Sequence, residues 1–213
     1  MKIFSSFLIL ICCVFYSESH AVDNIKKDKK TIINSIESQK DRLIEISDNI
    51  WEAAEPALLE FKSSKYLSDY AEENGFRVTR GVAEIPTAFV AEFGSGKPVI
   101  GILGEFDANP GISQKKQPTK DPLVKGAAGH GCGHNLYGTG SLGAAIAIKE
   151  MIESGEISGT VRFYGTPAEE TIFAKVWMVR AGLFDDVDVC MDWHPSDEVE
   201  AATQSSKALV DFR

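Results

Sequence analysis

Thr160-Val161-Arg162-Phe163-Tyr164-Gly165 runs directly into Thr166-Pro167-Ala168-Glu169-Glu170. The first six residues combine β-branched and aromatic side chains with a closing glycine, which is strand chemistry. Upstream, Gly138–Ser154 repeats apolar residues at helical spacing among many small ones, so it should pack closely on a sheet. Downstream, Ile172–Ala181 reads as a helix and Val187–Met191 as a buried strand. Strands alternating with helices in this way predict a three-layer α/β sandwich with a largely parallel central sheet.

Working outward, residues 26–53 read as a helix, because Ile32, Ile33, Ile36, Leu43, Ile46 and Ile50 recur at three- and four-residue steps. Pro56 breaks it. A second helix from about Glu60 to Glu73 ends at Asn74-Gly75, a good stop signal. Phe76–Arg80, Ala88–Phe93 and Pro98–Leu103 are short strands, and Gly94-Ser95-Gly96-Lys97 looks like a hairpin turn joining the last two. Gly104–Gln114 is a loop carrying Asp107 just past a strand end, and Lys115–Ala128 is a polar surface loop. Ala208–Arg213 begins another strand. There is no internal repeat.

The chemistry-bearing residues fall where such a fold gathers them. His130-Gly131-Cys132-Gly133-His134-Asn135 places metal-ligand side chains at alternate positions separated by glycines. In an extended segment His130, Cys132 and His134 would share a face, and the glycines allow a tight bend around an ion. Glu169-Glu170 follows one strand, and His194, between Trp193 and Pro195, follows another. In open α/β sheets the carboxyl ends of the strands form the ligand crevice.

Adjacent carboxylates repel, so Glu169-Glu170 is costly without a nearby cation. One can bind a metal while the other takes a proton from the attacking water. Asp107 can orient a histidine ligand; Glu105 shares its face and ranks below it. The structural alternatives are a Gly-rich turn capped by polar side chains and a first-turn acidic pair on a helix dipole. Each is reasonable alone, but their coincidence with a Cys/His cluster favours a metal. Sulfur, imidazole and carboxylate together suit zinc, with manganese and cobalt also compatible.

The chain has 213 residues, enough for one ordinary domain. Lys2, the apolar run Phe7–Phe15 and the small residues of Ser19-His20-Ala21 read as a secretory signal peptide cleaved after Ala21. That run is too short to span a membrane, and a secreted or periplasmic location follows. Cys12 and Cys13 leave with the leader. Of the retained pair, Cys190 should be a buried structural thiol, Cys132 is better explained by a metal, and one disulfide is conceivable. The net charge of −9, without a strong basic cluster, argues against a nucleic-acid partner.

Four motifs in order carry a resemblance to a known family. They are Gly104-Glu105-Phe106-Asp107-Ala108-Asn109-Pro110-Gly111, the Gly129–Asn135 cluster, Gly159–Glu170, and Trp193-His194-Pro195. The chain resembles the aminoacylase/carboxypeptidase-G type of metallopeptidase (metallopeptidase family twenty) over roughly residues 30–213. Within it, the resemblance is to the amidohydrolase group around p-aminobenzoyl-glutamate hydrolase.

The resemblance implies a two-metal amidohydrolase acting on small N-acyl amino acids or dipeptides. Cys132, His134, Glu170 and His194 would be metal ligands, Glu169 the general base, and Asp107 the acidic residue that orients the site. It also implies a division into a leader (1–21), the N-terminal part of a catalytic domain (22–205), and the start of a lid or dimerisation domain (206–213). Full-length relatives would be homodimers and would supply a further histidine ligand beyond this stretch. Two rival functions are a secreted metal- or peptide-binding module without chemistry, and a cysteine hydrolase using Cys132 with His134 as base.

Overall fold

A computed structural model of the chain describes residues 3–198, with side chains from residue 25 onward. Two helices, α1 (Ile3–Ala53) and α2 (Phe61–Glu73), precede strands β1 (Arg77–Arg80), β2 (Phe89–Ser95) and β3 (Val99–Gly104). Helix α3 (His134–Glu153), strand β4 (Gly159–Gly165), the short helices α4 (Glu169–Ile172) and α5 (Ala174–Arg180), and strand β5 (Val189–Met191) follow.

The five strands form one sheet in the order β1-β2-β4-β3-β5. β4 pairs parallel to β3, and β3 parallel to β5, while β2 pairs antiparallel to both β1 and β4. Four of the five strands therefore share one direction. Strand side chains alternate between two cores. Phe89, Ala91, Ile102, Val161 and Phe163 face α1, α2 and α3, meeting Ile46, Ile50, Leu67, Leu142 and Ile146. Val90, Leu103 and Tyr164 face the other way, against Ile85, Ala174 and Met178. The result is the expected three-layer sandwich.

The expected hairpin between β2 and β3 does not form. β4 lies between them, pairing Phe89↔Gly165 on one side and Val99↔Thr160 on the other. The turn glycines serve a different contact: a Cβ on Gly94 would meet the Gly159 carbonyl oxygen at 2.3 Å. Thr160 donates its N–H to the Pro98 carbonyl (2.9 Å) and its hydroxyl to that of Gly96 (2.8 Å), which ties the start of β4 into the turn. Five of the seven β4 residues are apolar or glycine and six are buried, so β4 takes the centre. The antiparallel neighbours of β2 are β1 and β4 instead of β3.

Three further expectations shift. The helix expected over Gly138–Ser154 begins four residues earlier, at His134, so the Cys/His motif runs from a bend at Gly131-Cys132 into the first turn of α3. The helix expected over Ile172–Ala181 is interrupted at Phe173, whose φ of 53° is left-handed. β5 is the sheet edge and is exposed throughout, Cys190 included, because no described strand lies outside it. Cys132 and Cys190 are both free thiols.

The strand expected at Ala208–Arg213 and the segment 206–213 lie outside the described residues, as do the leader's side chains. No described helix is long and apolar enough to cross a membrane.

Candidate metal centre

The carboxyl ends of β3, β4 and β5 deliver Glu105 and Asp107, Glu169 and Glu170, and His194 to one edge of the sheet. Helix α3 brings His134 to meet them. Its close seating depends on Gly138, where a Cβ would lie 2.5 Å from the Glu105 carbonyl oxygen. Gly133, at φ 80°, turns the chain into the helix. A pair of backbone hydrogen bonds between Asn109 and Gly129, 3.0 Å each, ties the two loops together. Asn109 Oδ1 then accepts the Cys132 N–H at 3.2 Å and fixes the cysteine.

His134 is fully buried at the centre. Its Nδ1 lies 2.9 Å from Asp107 Oδ1 and 3.1 Å from the Asp107 carbonyl oxygen. Its Nε2 lies 2.9 Å from Glu105 Oε2 and 3.9 Å from Glu170 Oε1. Cys132 Sγ sits 3.4 Å from His194 Nε2. Ligand atoms of Cys132, His134 and His194 lie within 4.8 Å of one another, and so do those of Glu105, His134 and Glu169.

His134 belongs to both groups, so all six residues anticipated for the site (Asp107, Cys132, His134, Glu169, Glu170 and His194) meet around it. His130 does not join them. The chain bends at Gly131-Cys132 instead of running extended, and the His130 Nε2 is hydrogen-bonded to the Ile50 carbonyl at 3.1 Å. Burial pulls its pKa down to about 4, so it is a neutral packed imidazole.

The electrostatics favour a cation. Burial disfavours a charged His134, but its hydrogen bond to Asp107 and the charge of Glu105 outweigh that and lift the pKa to about 10. Burial and the neighbouring Glu105 also push Glu169 above the usual carboxylate range. Cys132 is raised to about 11 by burial and by Glu170, so its thiol keeps its proton unless a cation arrives. That state is a poor nucleophile and weighs against a cysteine hydrolase.

The donor set fits a metal on a structural observation. His134 Nε2 and Glu170 Oε1 are buried without a hydrogen-bond partner; Glu105 approaches Nε2 closely but out of alignment. Unpartnered buried polar atoms facing one another are costly, and a cation between them would satisfy both. The Asp107 contact at Nδ1 leaves Nε2 turned toward Glu170, an orientation in which the ring could ligate an ion with the carboxylate supporting it from behind.

Three nearby residues escaped the sequence reading or were ranked low in it. Glu105 stands directly against His134, and its position one alternation before Asp107 was the available signal. Lys175 forms an ion pair with Glu105 from α5, with no motif to announce it. Glu60 lies behind the Glu169 turn, where nothing local marks it.

Comparison with known proteins gives a consistent picture. The peptidase family M20/M25/M40 profile matches residues 101–206. The chain is 50% identical over 185 residues to one of the subunits of p-aminobenzoyl-glutamate hydrolase from Escherichia coli (strain K12), covering 85% of this chain and 38% of that protein. It is 30% identical over 182 residues to Xaa-Arg dipeptidase of Mus musculus, covering 80% and 38%. Among solved structures, the Bacillus subtilis YXEP protein, a dinuclear metal-binding peptidase from the M20 family, superposes with a TM-score of 0.65 at 27% identity. That match covers 75% of this chain and 44% of YXEP. The chain thus spans about two fifths of the length of these relatives.

Proposed function

We propose a function from one premise: the chain belongs to the peptidase family M20/M25/M40. It supplies most of the metal-binding side of an amidohydrolase that cleaves the amide bond of small N-acyl amino acids or dipeptides, p-aminobenzoyl-glutamate foremost. The observation that carries this reading is the convergence of Cys132, His134 and His194 donor atoms within 4.8 Å, beside the second group Glu105, His134 and Glu169.

In this reading Cys132, His134, Glu170 and His194 hold two divalent ions, zinc in preference to manganese or cobalt. Bound metal supplies Lewis acidity toward the amide carbonyl and a lower pKa for the attacking water. Glu169, raised by burial and by Glu105, takes the proton of that water and returns it to the leaving amine nitrogen. Asp107 holds the His134 ring. Residues 1–21 form a cleaved leader, the protein works outside the cytoplasm, and the full-length protein dimerises. Residues 22–205 form the N-terminal part of the catalytic domain, and 206–213 begin a lid or dimerisation domain.

Release of glutamate from p-aminobenzoyl-glutamate by the zinc-loaded full-length protein, with and without chelator, tests the assignment. Chelator-sensitive release supports it. Chelator-resistant release that is lost on thiol alkylation would restore the cysteine hydrolase. Metal binding without release from any N-acyl amino acid would leave a binding module.

A further inference from the structure

Glu60 is a fully buried carboxylate that the chemistry above does not use. It occupies the N-cap position of α2 without capping it. Glu55 does that instead, accepting the N–H groups of Lys62 (3.0 Å) and Ser63 (2.9 Å). Glu60 reaches across to another segment: its Oε1 accepts the Ala168 N–H at 2.9 Å, and its Oε2 accepts the Thr87 hydroxyl at 3.1 Å. Among the described residues no lysine, arginine or histidine forms an ion pair with it. A buried carboxylate without a cation is expensive to keep, so its backbone contact calls for a reason.

Ala168 supplies one. It is buried and left-handed, at φ 55° and ψ 36°, which costs an alanine free energy and needs support from its surroundings. Two residues on, the Glu170 N–H is held at 3.0 Å by Asp107 Oδ2. Glu169 therefore sits between two backbone amides, each fixed by a carboxylate from a different segment.

We propose that Glu60 is a positioning residue for the Glu169–Glu170 pair, holding the strained turn so that both carboxylates face His134. The proposal rests on the reading that these two glutamates work at the metal centre. Burial raises Glu60 to about 7, yet its function does not depend on charge: a protonated carboxyl still offers one oxygen to Ala168. Glutamine preserves that acceptor and can donate to Thr87. Leucine removes both contacts, and aspartate keeps the carboxylate but withdraws it by one methylene.

The test is amide hydrogen exchange by NMR on the metal-free chain, with cobalt(II) titration of the same samples. In Glu60→Leu, exchange at Ala168 and Glu170 should rise about tenfold, the equivalent of one lost hydrogen bond, with the β4 amides unchanged. Cobalt affinity should fall in parallel, and Glu60→Gln should restore both. If Glu60→Leu loses β4 protection, Glu60→Asp is read in its place. An unchanged Glu170 amide in a variant with intact β4 protection overturns the proposal. The exchange measurement needs no metal, so a chain that binds no cobalt sinks the proposed function and leaves exchange to decide the role of Glu60.

Discussion

Asp107 Oδ1 lies 2.9 Å from His134 Nδ1, and this contact decides which nitrogen of the ring faces the site. With Nδ1–H donated to the aspartate, Nε2 points at Glu105 and Glu170 with no hydrogen-bond partner of its own. Removing the carboxylate frees the ring to rotate and lowers its basicity. Asp107→Ala should therefore weaken zinc or cobalt affinity by about 10- to 100-fold, read by titration of the metal-free protein. An unchanged affinity would deny Asp107 its orienting role.

The ligand assignment makes a spectroscopic prediction. Cobalt(II) bound to Cys132 should give a sulfur-to-metal charge-transfer absorption in the near ultraviolet. Cys132→Ser should remove that band, while His194→Ala should weaken cobalt binding and keep it. A band that survives Cys132→Ser would move the thiolate role elsewhere.

The pH dependence follows from His134. Its pKa rises from 6.5 to about 10 in the folded chain, so the folded state binds the proton more tightly than the unfolded state. The resulting stability is fully present below pH 6.5 and is lost as pH climbs through 10. Glu60, raised from 4.5 to about 7, acts in the same direction over its own lower window. The melting temperature of metal-free protein should thus fall between neutral and alkaline pH. Metal must displace protons from His134 and Cys132, so the stabilisation conferred by zinc should grow over the same range. A zinc effect independent of pH would contradict the ligand set.

Gly138→Ala tests the seating of α3. The added Cβ would meet the Glu105 carbonyl oxygen at 2.5 Å, so helix or strand must shift. Overpacking of this kind costs about 1–3 kcal/mol, and the shift displaces His134 from Glu105. Urea unfolding and metal titration should both register the change; full stability with full affinity would refute the close-packing argument.

Much of this was legible in the sequence because the signals were local. Hydrophobic periodicity located the helices, and the strand–loop–helix order placed every chemical motif at the carboxyl edge of the sheet. The β2–β3 hairpin misled because a Gly-rich turn specifies a reversal but not which strand becomes the neighbour; β4, 55 residues beyond the Gly104 end of β3, settles that. The face expected to be shared by His130, Cys132 and His134 fails because the bend at Gly131-Cys132 abolishes the alternation of an extended segment, while the ligand set implied by the resemblance does not include His130. Glu60 and Lys175 were invisible for a related reason: each reaches the site from a separate helix region, and their spacing along the chain encodes nothing about their partners.

Glu169→Gln separates binding from chemistry. The amide cannot accept the proton of the attacking water, so turnover in the full-length protein should fall by about 10²- to 10⁴-fold, while metal content stays the same. Retained turnover would remove Glu169 from the role of base.

The most direct measurement is the metal content of the purified chain by elemental analysis, with Cys132→Ala alongside. The account predicts bound zinc or a similar divalent ion in the wild-type chain and a clear loss in the variant. A well-folded wild-type chain that takes up no zinc, manganese or cobalt would contradict it.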